Sequence, residues 1–500
     1  MENIIKTISN IVWSDFFVYL CLITGLYFSI RTGFLQVRYI KHMCRLLFTK
    51  SNSNVGISSF QAFALAISGR VGTGNIVGVA TAIYMGGPGA VFWMWAIAFL
   101  GSASAFIEAT LGQVYKQEVN GQYRGGPAYY IEKGLGIKWY ALLFAIVTII
   151  STGLFLPGVQ SNAINGTMMN AFGLKNEVVE LFGLSLSISW VGLLVIALLV
   201  VIIIGGVKRL GQTSELIVPF MAGAYILMAL VIIGVNYTEI PAVFRLIFSS
   251  AFSMDATFGG IVGTAIAWGV KRGIYSNEAG QGTAPHAAAA ADVKHPAQQG
   301  LVQAFSVYVD TLFVCTATAF MILFSGAYNT GATFDGTGKA LSFVVEYIPG
   351  IEADGFTQTA IAHHFPKIGK QFVAIALFFF AFTTVMAYYY YAETNIAYIF
   401  KKGNTKFVIW ILRIGFLSAT YFGTVKTADL AWNMGDIGVG LMAWVNIIAI
   451  LLMSRTGLKV WNDYKKQRKM GIKEPVFNPK ELGIKNADFW EAKINENKNS

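Results

Sequence analysis

Residues 68–75 read Ser68-Gly69-Arg70-Val71-Gly72-Thr73-Gly74-Asn75: three glycines and an arginine in the middle of an apolar run from about 57 to 84. The flanks, Phe63-Ala64-Leu65-Ala66-Ile67 and Ile76-Val77-Gly78-Val79-Ala80, are the material of a membrane-crossing helix, which needs about 20 such residues. In hydrocarbon every backbone N–H and C=O must be satisfied internally. An irregular segment survives there only against protein or a water-filled cavity. A charge at that depth is costly and marks function by default. The octet therefore predicts an interrupted helix. A second stretch of the same kind, Trp268-Gly269-Val270-Lys271-Arg272-Gly273, predicts another.

The composition agrees with a membrane setting. Of 500 residues, 55% are hydrophobic and 14% aromatic, while 13% are charged, against about 25% in soluble domains. Disorder, collagen and coiled coil are excluded by the same figures. Cys21, Cys44 and Cys315 are too few and too scattered for a disulfide framework or a zinc site. Eleven spans are expected, at about 13–31, 57–84, 89–115, 139–160, 186–205, 214–236, 254–279, 297–325, 366–392, 407–424 and 435–453. The first begins late and lacks a basic leader and a small-residue cleavage site, so it is expected to be a span rather than a signal peptide.

The charge pattern gives an orientation. With the amino terminus outside, 26 of the 37 Lys and Arg fall in inner segments, seven in outer ones, and four (Arg70, Lys271, Arg272, Arg413) within spans. The net charge of +11 thus lies at the cytoplasmic face of the cell membrane, with the carboxyl terminus inside, and nucleic acid is not needed to explain it. Arg413 can snorkel to that face. Trp461 and Tyr464, beside Lys465, Lys466, Arg468 and Lys469 in a polar and partly disordered tail, suit anionic headgroups. Tyr388–Tyr391 suit an interfacial belt.

Setting the first span aside leaves ten, with an interrupted helix leading each group of five. Five is odd, so the two groups are inverted in the membrane, and interrupted helices in corresponding positions point to a transporter's central site. The expected fold is therefore an all-α integral membrane protein of about 11 transmembrane helices, one extra helix plus a 5+5 inverted repeat with two discontinuous helices. Its parts are 1–56, carrying the first helix and a basic linker, 57–253 and 254–453 as the two repeats, and 454–500 as a basic cytoplasmic tail.

The stretch Gly86-Gly87-Pro88-Gly89-Ala90-Val91-Phe92-Trp93-Met94-Trp95-Ala96-Ile97-Ala98-Phe99-Leu100-Gly101 resembles the signature of the alanine or glycine:cation symporters, the sodium:alanine symporters. Gly69 to Asn75, Tyr275-Ser276-Asn277-Glu278-Ala279-Gly280, and Asp310-Thr311 with Cys315 to Thr318 extend the likeness over nearly the whole chain up to the eleventh span. The resemblance implies the leucine-transporter-type fold, sodium coupling and uptake of small neutral amino acids. Val71-Gly72-Thr73-Gly74-Asn75 is also similar to the unwound Val-Gly-Leu-Gly-Asn run of the neurotransmitter:sodium symporters, with Thr73 in place of leucine.

A zwitterion needs partners for both its charges. Backbone N–H groups where the helix resumes near Gly72, Thr73, Gly74 and Asn75 suit its carboxylate. For its ammonium, opened carbonyls near Trp268 and Gly269 are one candidate. Gln160 is another, although a buried glutamine also suits tying helices together. Trp268 and Phe380 are candidates to cap the pocket. By resemblance, Thr383 and Thr384 with the carbonyls of Ser68, Val71 and Phe380 form a sodium site, and Asn75 is a candidate for a second ion. Oxygen ligands fit this hard cation, but both threonines equally suit bonding to their own preceding carbonyls. Arg70, Lys271 and Arg272 need negative partners, for which Glu108 and Asp310 are candidates in a structural or gating role rather than proton transfer, with a proton relay the lesser alternative for Asp310. Glu278 fits an inner gate.

The expected function is sodium-coupled import of alanine or glycine by alternating access, with sodium as coupling ion and no cofactor. The partners implied are the amino acid, the ion and the bilayer; no protein partner is indicated. A proton-coupled carrier of the same fold is the alternative, then an amino-acid channel or sensor, then a membrane enzyme. Against an enzyme, His286, His295, His363 and His364 fall in loops and His42 in the basic linker, with no His-Glu-x-x-His or Walker-type motif.

Overall fold

The octet does interrupt a helix. Helix Ser59–Arg70 starts on a capping box, Ser58 Oγ accepting from Gln61 N at 3.1 Å and Gln61 Oε1 accepting from Ser58 N at 3.1 Å. It ends at Val71, whose ψ of 87° is not helical. The chain resumes as a π turn over Gly74–Gly78, then as helix Val79–Gly86, and the two halves meet at 53°. The structure is a computed structural model describing residues 2–49, 55–119, 121–181, 184–252, 254, 257–335, 338–400 and 405–499. Lys50, Lys401 and Lys402 of the charge pattern lie outside the described residues.

The second interruption is displaced from its expected place. Helix Val262–Asn277 runs unbroken through Trp268–Gly273. Gly269 serves close packing there: a Cβ on it would lie 2.5 Å from Ala90 O and 2.6 Å from Trp93 Cβ. The glycine-rich 86–101 stretch thus provides the surface on which this helix lies. The backbone opens instead over 278–283, with φ of 54° at Glu278, 81° at Gly280 and 86° at Gly282. It then re-forms as the short helix Ala284–Ala290. The positive φ values at 280 and 282 are ones that glycine adopts without strain.

Among the described residues eight helices are long and apolar enough to cross a membrane, nine with the bent pair. Helices Trp190–Ile203 and Val262–Asn277, where spans 186–205 and 254–279 were expected, are shorter. The described strands form three two-stranded hairpins, at 117–124, 177–188 and 329–346, all in connections between apolar helices. The fold is that of a helical, multi-pass membrane protein.

Helix Gly369–Ile399 is its centre, 78% of its apolar window lying inside the protein. Tyr388, Tyr389, Tyr390 and Tyr391 are each at most 2% exposed, which overturns the interfacial-belt reading. Two of the hydroxyls meet other helices: Arg413 Nε donates to Tyr389 at 3.0 Å, and Tyr390 donates to His286 O at 3.2 Å. Arg413 is accordingly held by a tyrosine.

The tail also departs from expectation. It forms helices Ser454–Lys469 and Asp488–Asn499. Leu458, Trp461 and Tyr464 share one buried face at helical spacing. Trp461 Nε1 donates to Thr32 O at 3.1 Å, and the Tyr464 hydroxyl meets His42 Nε2 at 2.7 Å. Burial pushes the His42 imidazole down to about 4, so that ring is neutral. Both aromatics dock the tail on the helices rather than on headgroups.

Candidate functional site

Every residue from Ser68 to Gly78 is buried, so the amides exposed by the interruption need partners from other helices. Thr73 N donates to Gln160 Oε1 at 3.0 Å, and Gly72 N donates to Asn75 Oδ1 at 2.9 Å. Asn75 Nδ2 in turn donates to Asp310 Oδ1 at 2.6 Å, and Thr318 Oγ1 donates to Asn75 O at 2.6 Å. Helix Leu156–Phe172 supplies Gln160, and the π segment Tyr308–Cys315 supplies Asp310. Gly72 leaves the room that this convergence requires: a Cβ there would be 2.5 Å from Thr384 Oγ1 and 2.9 Å from Gln160 Oε1. A Cβ on Gly74 would be 3.1 Å from Ser276 Cα, so the two interrupted helices approach through backbone.

On the Gly369–Ile399 helix, Thr384 Oγ1 lies 3.3 Å from Val71 O and 2.9 Å from Phe380 O. Thr383 Oγ1 lies 3.0 Å from the same Phe380 O. Val71 O, Phe380 O and the Thr384 hydroxyl thus meet at the interruption as neutral oxygens, while the Thr383 hydroxyl also bonds Phe379 O, 3.0 Å away, and lies 3.7 Å from Met221 Sδ. The Ser68 hydroxyl bonds Ala64 O, 2.9 Å away in its own helix; the group expected at the ion is its carbonyl. The Phe380 ring packs edge-on against Tyr225 at 5.2 Å, so this residue meets the cluster through its carbonyl.

Two groups of charge flank the interruptions. On the side of the 329–346 hairpin, Asp436 takes Lys271 Nζ at 2.7 Å and both terminal nitrogens of Arg272, at 2.9 and 3.2 Å. Asp436 was not among the candidates, although an acid inside the apolar run 428–452 meets the criterion that singled out Arg70. The expected pairing of Lys271 and Arg272 with Glu108 or Asp310 is replaced by this one. Trp268 lies under both cations, 4.7 Å from Lys271 Nζ and 5.1 Å from Arg272 Cζ. Because its helix is continuous, Trp268 and Gly269 offer no opened carbonyls, and that candidate for the ammonium is withdrawn.

These residues line a cavity of about 300 Å³ that also reaches Val77, Trp432 and the hairpin residue Phe334. A smaller cavity of about 110 Å³ shares Val77, Asp354 and Trp432 with it. Burial, followed by the charge of Glu352, raises the Asp354 carboxyl above the usual carboxylate range. Tyr275 and Trp432, with ring centroids 5.2 Å apart, lie beside the Arg272–Asp436 pair.

The second group is Arg70, Glu108, Glu278 and Asp310, none more than 1% exposed. Arg70 Nη1 donates to Gln303 O at 3.1 Å and to the Ser306 hydroxyl, while its Nε and Nη2 have no partner among the described residues. Glu108 accepts from Gly280 N at 3.3 Å, Gly282 N at 3.1 Å and Asn446 Nδ2 at 2.7 Å, holding the opened 278–283 stretch. Asp310 accepts from Asn75, from Ser276 Oγ at 2.9 Å and from Thr311 Oγ1 at 2.6 Å. Among the described residues no three His, Cys, Asp or Glu gather as a metal cluster. The polar interior can therefore hold a small zwitterion on backbone and amide groups, and an alkali cation on neutral oxygens.

The family model described as the sodium:alanine symporter family matches residues 1–479. The carrier protein YrbD of Bacillus subtilis (strain 168) is 57% identical over 98% of both chains. A sodium/proton-dependent alanine carrier protein of Bacillus sp. (strain PS3) is 48% identical over 90% of this chain and 97% of its own. The sodium/alanine symporter AgcS of Methanococcus maripaludis is 36% identical over 93% of this chain and 98% of its own.

Proposed function

Because this chain belongs to the sodium:alanine symporter family, whose members are transporters and not enzymes, we propose that it is a cell-membrane symporter importing alanine or glycine with sodium by alternating access. The observation that carries this reading is the joining of the first interruption to the central helix by Thr384, whose hydroxyl reaches both Val71 O and Phe380 O. Sodium would take those two carbonyls and the hydroxyls of Thr383 and Thr384, an all-oxygen set suited to a hard cation. Gly72 N and Thr73 N are the amides for the substrate carboxylate, now met by the oxygens of Asn75 and Gln160. Gln160 would yield Thr73 N to the carboxylate and turn its own oxygen to the ammonium. The crowding about Gly72 suits a substrate with little or no side chain.

The hairpin side is assigned to the outside, so the cavity of about 300 Å³ is an outer vestibule. Trp432, Tyr275 and the Arg272–Asp436 pair close it above the interruption. Rocking of one helix group against the other would open this closure and later the 278–283 side. The count of eleven spans and the inverted repeat belong to this same proposal.

The test is uptake into proteoliposomes of a labelled panel (alanine, glycine, serine, glutamine), with potassium replacing sodium at fixed pH. Concentrative alanine uptake that needs the sodium gradient is expected; equilibration without accumulation would indicate a channel. Thr384→Val should lower sodium-driven uptake at least tenfold while eluting as a folded protein. Wild-type sodium dependence in that variant would remove Thr384 from the ion site.

A further inference from the structure

The buried group around the interruptions holds one arginine against three carboxylates, an excess of two negative charges when all are ionised. The charge of Arg70 acts on Glu108, Glu278 and Asp310 alike. Unbalanced charge in a medium of low polarity is expensive, and a group so placed is neutralised or finds a counter-ion. The hydrogen bonds show which carboxylate is the one to neutralise. Asp310 receives donors from Asn75, Ser276 and Thr311, and Glu108 receives two backbone N–H groups and the Asn446 amide. Both are satisfied as anions.

Glu278 is not. Thr283 Oγ1 donates to its Oε2 at 2.8 Å, and its Oε1 has no partner among the described residues. The same stretch leaves Asn277 Nδ2 and both amide atoms of Gln281 without partners. The Tyr391 hydroxyl, also without one, lies with Glu278 Oε2 against Gly69, at 2.6 and 3.2 Å from where a Cβ of that glycine would stand. A fully buried carboxylate oxygen that accepts nothing is suited to carry a proton. Glu278 also has a φ of 54° at the point where the second helix opens, so whatever moves the 278–283 stretch moves this carboxyl.

We infer that Glu278 is a proton-binding site of the carrier: its Oε1 takes a proton from one aqueous phase when the amino acid is loaded and releases it to the other when the 278–283 stretch rearranges. This rests on the symport reading and extends it to a second cation. The groups that face Glu278 are Arg70 from helix Ser59–Arg70, Asp310 from the π segment, Tyr275 from its own helix, and Tyr388 and Tyr391 from helix Gly369–Ile399. Glu108 acts on it through Arg70 and the 280–282 backbone, and His286 stands beyond Tyr391, their rings 5.4 Å apart. A sodium ion beside Val71 and a proton on Glu278 together offset the two excess charges.

The experiment uses the full chain in vesicles loaded with a pH dye, with equal sodium inside and outside. Alanine added outside should drive proton entry with the wild type, and Glu278→Gln should lower that entry at least tenfold. In a sodium gradient, the pH dependence of alanine uptake should flatten in the same variant. Thr283→Val removes the one hydroxyl that steadies the anion, so the pH midpoint of uptake should move upward, by about one unit. Alanine-driven proton entry that persists in Glu278→Gln, or a Thr283→Val midpoint that stays or falls, overturns the assignment. The second variant decides alone if the first does not fold. Wild-type vesicles that accumulate alanine on sodium with no pH dependence and no proton entry also overturn it. Wild-type vesicles with no sodium-driven accumulation would instead sink the symport reading.

Discussion

The two interruptions are held open by different means. At 71–73 the freed amides are met by neutral side chains, Gln160 and Asn75, and the freed Val71 carbonyl by Thr384. At 278–283 the freed amides of Gly280 and Gly282 converge on one carboxylate, Glu108, which Asn446 steadies from helix Ala428–Leu452. Amide partners can be exchanged for a ligand's at little cost, because the substrate carboxylate offers each N–H an acceptor at least as strong as the neutral oxygen it replaces. A charge-assisted partner is stronger and harder to leave. The first interruption is thus built to trade partners with a solute, and the second to stay anchored to the 89–114 helix as it moves.

The largest expected effect follows from that anchor. Glu108→Ala would strand the N–H groups of Gly280 and Gly282 in the interior, at about 1–3 kcal/mol each. Thermal unfolding in detergent should show the protein severely destabilised. Gln160→Ala strands a single backbone amide, Thr73 N, and takes a partner from the Tyr388 hydroxyl, about 1–3 kcal/mol, so it should fold, with a modest loss of stability and a larger loss of alanine affinity. Equal destabilisation by the two substitutions would erase the contrast between the interruptions.

The contrast also explains what could be read from the chain. The first interruption was legible because its glycines and its arginine share one octet. The second was placed too early because Lys271 and Arg272 were treated as marks of unwound backbone. Their partner, Asp436, lies 164 residues beyond Arg272, on a helix whose neighbours a linear sequence does not reveal. With that acid in place a regular helix carries both cations. The true opening, Glu278-Ala279-Gly280-Gln281-Gly282-Thr283, resembles a loop end and gives no sign of its depth. Tyr388–Tyr391 and the tail aromatics failed for a related reason. An amphipathic ring suits both a membrane interface and a protein interior with a hydroxyl or carbonyl partner, and only packing decides.

The smallest effect sharpens the comparison at the far side of the first interruption. Asn75 O accepts from Thr318 Oγ1 at 2.6 Å, and the Tyr225 hydroxyl lies 2.8 Å from the same Thr318 oxygen. Tyr225→Phe removes one neutral hydroxyl yet strands nothing, because Thr318 keeps Asn75 O as its acceptor. The cost should be about 0.5–1.5 kcal/mol, seen as a slight fall in melting temperature with sodium-driven uptake retained. A loss of uptake as deep as that of Gln160→Ala would mean that the Asn75 carbonyl depends on Tyr225 for its orientation. The neutral partners of the first interruption would then form one cooperative network rather than separately exchangeable groups.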